Sequence, residues 1–144
     1  MVEVQVKAAR GRGPGLSWPI GEKSQQPALN PREWFVMVAI DDLVTEPLRF
    51  FIVPRDHVAA AAWIEHMNWL TEPGIAHGVR NVGPERSRVT LPTFAGYENA
   101  WSTLAAPADE APIILPPKFH SYAQEVTRVG LPLHHPWHTS LPSW

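Results

Sequence analysis

The sequence predicts an α/β domain: a small mixed sheet with an antiparallel hairpin and two packed helices. Three observations carry that expectation. Val2 to Val6 alternate apolar and polar residues, the period of a strand. Trp34–Ile40 and Leu48–Val53 are short apolar runs, rich in aromatic and β-branched residues and too short for typical helices. Behind Pro54-Arg55-Asp56 comes HVAAAAWIEHMNWL, a stretch of strong helix formers.

Composition narrows the class. A chain of 144 residues has room for one domain with a single modest core. Its 16 prolines and 7 tryptophans point to long irregular connections around a few aromatic anchors. The formal net charge of −2 excludes a wholesale basic nucleic-acid binder but leaves room for a local basic patch. With no cysteine there is no disulfide, no thiolate metal site and no cysteine nucleophile. Glu3, Lys7, Arg10 and Arg12 stand where a signal peptide needs an apolar run. No window reaches the roughly 18 apolar residues of a membrane-spanning helix. The expectation is a soluble, cytoplasmic protein with no membrane partner.

In the first strand Val2, Val4 and Val6 point to one face, which reads as the core side, and Glu3, Gln5 and Lys7 to the other. Residues 8–33, rich in Gly, Pro and small polar side chains, read as an exposed loop with one short strand near Leu16–Ile20. The polar link around Pro47 joins the two apolar runs as an antiparallel hairpin. On a helical wheel Ala59, Ala60, Trp63, Ile64, Met67 and Leu70 share one side, which packs on the sheet, and His57, Glu65 and Asn68 the other. Thr71–Arg88 has no sustained period and reads as a loop. Phe94, Tyr97, Trp101 and Leu104 recur at helical spacing and predict a second helix after Thr90. From Ala105 prolines break every pattern, so the expected organisation is one domain over 1–104 and a proline-rich tail over 105–144.

Gln5-x-Lys7 on a strand is followed by a glycine-rich basic loop, an apolar hairpin ending in FFIVPRD and a helix. That order resembles the second half of the restriction-endonuclease-like, or PD-(D/E)XK, nuclease superfamily, over about residues 2–70. In that family an Asp on one strand and a Glu, Asp or Gln two residues before a Lys on the next hold a magnesium ion. The resemblance implies metal-dependent hydrolysis of DNA, with Gln5 and Lys7 as catalytic residues, Gln5 in the Mg2+ position and Glu3, on the same face, as a substitute carboxylate ligand. Residues two apart on a strand point the same way, so both side chains reach one phosphate, and hard oxygen ligands suit magnesium. The family's Asp-bearing strand should lie before the QxK strand, yet only four residues precede Gln5. The chain therefore reads as a fold entered halfway: a fragment or a late start, a degenerate member, or a chain whose sheet is completed by a second copy or another subunit. Under the first two, this chain alone should not cleave DNA.

Arg10 and Arg12, with Lys7 and Lys23, make the first residues locally basic, and Arg fits phosphate in a bidentate fork. Arg10, Arg12 and Lys23 are the candidate nucleic-acid contacts; a plain solubilising loop is the competing reading. Arg80, Arg86 and Arg88 form a weaker second patch. His120, His134, His135 and His138 lie in the tail, where such clusters bind transition metals adventitiously; His57 and His66 fall on opposite sides of their helix. The competing function is a non-catalytic interaction module, with Trp18, Trp63 and Trp69 as surface aromatics, that self-associates through an exposed sheet edge.

Overall fold

The computed structural model describes residues 1–144. Three strands form the main sheet: β1 (Glu3–Gly11), β3 (Glu33–Asp41) and β4 (Arg49–Pro54), in the order β1-β3-β4. A second, two-stranded sheet pairs β2 (Ser17–Pro19) with β5 (Arg88–Thr90) antiparallel. The helices are α1 (Arg55–Leu70) and α2 (Pro117–Gln124). No helix is long and apolar enough to cross a membrane. The mixed α/β architecture, the β3–β4 hairpin and the helix starting behind Pro54 stand as the sequence predicts. Pro54 precedes the first helical turn, where a missing N–H costs nothing, and Asp56 sits in that turn.

β1 runs parallel to β3, with Gln5 beside Phe35, Lys7 beside Met37 and Ala9 beside Ala39. Neighbours in register share a face, so the odd residues of β1 lie on the side of the main core, which holds Phe35, Met37, Ala39, Phe51, Val53 and much of α1. The reading that Val2, Val4 and Val6 face the core is therefore corrected. They lie on the far face and are 40%, 43% and 62% exposed. A smaller apolar cluster of Trp34, Val36, Val38, Ile52 and Ala108 covers β3 and β4 on that face and includes no β1 valine.

α1 is buried almost all round in its first two turns, His57 included, because residues from both ends of the chain pack against it. Trp63 is half-buried and donates its indole N–H to the Val129 carbonyl at 2.8 Å, so it faces the C-terminal segment. Trp18 is fully buried, its Nε1 donating to the Val38 carbonyl at 2.9 Å, which removes it from any surface aromatic patch. The loop over residues 8–33 is anchored rather than free: Leu16, Trp18, Ile20, Ser24 and Gln25 are buried, and the Gln25 amide donates to the carbonyls of Ile20 and Pro84.

Two further expectations are revised. The second helix after Thr90 is instead two short 3-10 segments, Leu91–Tyr97 and Trp101–Ala105. Asn99 between them adopts φ of 55° while its N–H bonds to the Phe50 carbonyl, tying this segment to the outer edge of β4. Residues 105–144 are part of the domain and do not trail from it. Leu115, Phe119, Ala123, Val129, Leu131 and Trp137 belong to the same core as Phe35 and Phe51. Prolines restrict the unfolded chain, so an irregular segment with apolar anchors between them loses less entropy when it is laid down.

Candidate functional site

Gln5 and Lys7 project from β1 on the side that carries α1, at the margin the helix does not cover; Gln5 is exposed and Lys7 half-buried. The Lys7 ammonium lies 5.8 Å from the centroid of the Phe35 ring, and the Arg55 guanidinium carbon lies 5.7 Å from the same ring. Arg55 is held in place: its Nε donates to the Gln26 carbonyl at 3.0 Å, an Nη to the Lys23 carbonyl at 2.6 Å, and Glu33 stands 3.9 Å away. Lys7 has no carboxylate partner. Partial burial, and then the Arg55 charge, hold its ammonium below the usual lysine range. Two cations beside one aromatic ring, with a single carboxylate, Glu33, near Arg55 and none on Lys7, form a position that gains from an anion.

The other sequence candidates divide. Lys23 is exposed in a short 3-10 segment, Glu22–Gln25, beside Arg55, and so shares this neighbourhood. Arg10 is in register with Ile40 and lies on the opposite face of the sheet from Lys7; Arg12 follows the end of β1, and both are exposed. In the weaker patch Arg80 is paired with Glu72 and stacks on Trp69, and Arg88 bonds Ser17, while Arg86 is exposed, so two of its three arginines are spent on internal contacts.

The magnesium expectation can be tested on these residues. Glu3 shares the face of Gln5, but its carboxylate is engaged by the Arg32 guanidinium at 3.3 Å. No three His, Cys, Asp or Glu side chains converge on a common point anywhere in the chain. Magnesium demands near-octahedral oxygen ligation, with one or two carboxylates fixing the ion. Gln5 with an ion-paired Glu3 does not fit that requirement, and no step through the metal is derived for this chain. The tail histidines are dispersed: His135 is buried against Asp56, His138 bonds the Pro132 carbonyl, and His120 packs edge-on to Trp144.

Beside Arg55 opens a groove of about 680 Å³, lined among others by Glu33, Arg55, Asp56, His57, Asp109 and Trp137. His57 is its least visible feature in the sequence. Burial, and then the nearby His135, push its imidazole down to about 3, so it is neutral. His135 is fixed as well: its Nε2 donates to the Asp56 carbonyl at 2.8 Å, while Nδ1 accepts from the Trp137 N–H. Sequence reading placed His57 on the polar side of its helix; its partners, Tyr97 and Trp137, come from distant segments that no local pattern joins to it.

Comparison with family models, with curated proteins and with solved structures finds no match. The functional reading therefore rests on the residues and their geometry.

Proposed function

We propose that this chain is the QxK half of a nuclease-like, DNA-binding domain, degenerate or incomplete as a catalyst until a carboxylate-bearing strand joins β1. The observation that carries the reading is the pairing of Lys7 and Arg55 around Phe35, beside Gln5 on the same strand face. A phosphate placed there offsets the partial burial and the Arg55 repulsion that together hold the Lys7 ammonium down. It also finds in Arg55 a guanidinium whose orientation is set by two backbone carbonyls. The proposal includes a cytoplasmic setting, an expectation drawn from the cysteine-free composition.

Binding of the full chain to duplex DNA, followed by fluorescence anisotropy across a salt series, tests this. The expected result is binding that weakens with salt, with Lys7→Ala lowering the slope of log K against log salt by about 1. Plasmid cleavage with magnesium or manganese, beside Lys7→Ala and a chelator control, tests completeness. No cleavage is expected from the chain alone. Salt-independent binding, or none, overturns the reading.

A further inference from the structure

β1 presents an open edge, and its chemistry specifies what fits there. The Glu3 N–H bonds to the Arg32 carbonyl at 2.8 Å, so in the parallel ladder the odd residues of β1 spend their N–H and C=O groups on β3. The even residues, Val2, Val4, Val6 and Ala8, then direct theirs outward. The opposite edge of the sheet is closed: Asn99 bonds the Phe50 carbonyl, Phe51 bridges to Glu98, and Glu98 accepts a bidentate pair from Arg49 at 2.7 and 2.9 Å. β1 has no such cover, and a nine-residue edge with exposed valines is a template for another strand.

We infer that the strand completing this edge is β1 of a second copy of the chain, antiparallel about a two-fold axis through Gln5. The inference rests on the reading that β1 receives a strand. In an antiparallel pair opposed residues are both hydrogen-bonded or both not, so the axis must pass through a residue and not between two. Centred on Gln5, the register sets Glu3 opposite Lys7 of the second copy, twice by symmetry, on the α1 face. On the other face it sets Val4 opposite Val6, again twice, and these residues exchange their outward N–H and C=O groups. Moving the centre to Val4 opposes Glu3 to Gln5. Moving it to Val6 opposes Gln5 to Lys7 and Val2 to Arg10. Only the Gln5 register matches opposite charge on one face and apolar pairs on the other. Glu3 and Lys7 can meet across this edge: Arg32 holds only Oε1 of the half-exposed Glu3, which leaves Oε2 for Lys7 of the second copy, and Lys7 has no carboxylate partner of its own.

Sedimentation velocity of the full chain across a micromolar concentration series tests the inference, with thermal melts confirming that each variant folds. Wild type is expected to dimerise. E3K and K7E each place like charges opposite one another twice and are expected to raise the dissociation constant by about tenfold or more. The double swap E3K/K7E restores opposite charges and is expected to recover dimerisation. Val6→Lys, at an exposed position, puts charge into the apolar pairs and is expected to give monomer. A wild type that stays monomeric overturns the inference, as does a dimer that the single swaps leave intact. A monomer that still binds DNA removes the second copy and leaves the QxK reading standing; a swap-sensitive dimer without DNA affinity does the reverse.

Discussion

The Tyr97 hydroxyl lies 2.8 Å from Nδ1 of His57, and the same oxygen accepts the Ile114 N–H at 3.0 Å. A phenol has one proton to give, and with Ile114 donating to it the proton goes to Nδ1. His57, which lines the groove, is thus the neutral tautomer protonated at Nε2. Burial pushes the Tyr97 phenol up, so it stays protonated and remains a donor.

The pH dependence of stability follows. His57 is held from its ordinary 6.5 down to about 3 in the folded chain. Below 6.5 the unfolded chain takes up a proton that the folded one refuses, so stability rises with pH across this window and is lost as pH falls from 6.5 towards 3. The contribution of His57 is at most about 1.4 kcal/mol per pH unit. Denaturant titrations at a series of pH values are expected to show this slope, and His57→Gln is expected to reduce it by about one proton's worth. An unchanged slope in the variant would place the titration elsewhere.

Two buried tryptophans should respond differently to the same substitution. Trp18 donates to the Val38 carbonyl, whereas the Nε1 of Trp34 is buried without a partner. Trp18→Phe removes a buried hydrogen bond and leaves a gap, and is expected to cost about 2–4 kcal/mol. Trp34→Phe removes an unsatisfied donor along with the ring volume and is expected to cost less. Urea unfolding of the two variants side by side decides it.

Removing the Trp137 ring should damage the core well away from its place in sequence. It packs on His57 at 5.4 Å, His135 at 4.7 Å and Trp144 at 5.2 Å between ring centroids. Trp137→Ala is expected to lose about 3 kcal/mol or more, measured by chemical denaturation. A free tail would show no such loss.

The split of basic residues between two faces gives a test by position. If DNA lies along the face of Lys7, Arg55 and Lys23, Lys7→Ala weakens binding more than Arg10→Ala. Arg10 stands in register with Ile40 on the other side of the sheet. Anisotropy titrations at one salt concentration rank the two, and the reverse order would move the nucleic-acid surface to the Arg10–Arg12 turn.

The β3–β4 hairpin and α1 were legible because each is written locally: apolar runs of strand length, a polar link, then Pro54 before alanine-rich helix. β1 was legible as a strand but not by face. Its valines alternate as core residues do, yet which face is covered is decided by the parallel register with Phe35 and Met37, which no local pattern records. Gln5 and Lys7 were visible as a pair, while Arg55 joins them only through Phe35. Of the C-terminal anchors, Phe119 and Ala123 share one face of α2, a helix of only eight residues and too short to announce itself by period, while Leu115, Val129, Leu131 and Trp137 hang from irregular chain whose turns prolines set. The second helix failed for a local backbone reason: Asn99 at positive φ ends the run where Phe94 and Tyr97 suggest it continues.

The way the C-terminal segment closes over α1 has a consequence for synthesis. A nascent chain that has just emerged past Thr90 already holds all five strands and α1. It still lacks Val129, which accepts from Trp63, and His135, which grips the carbonyl of Asp56. Until residues 115–138 have emerged as well, the first turns of α1 stand open to water on the side those residues fill, so final locking of the domain comes late in its synthesis, after all of its strands are made.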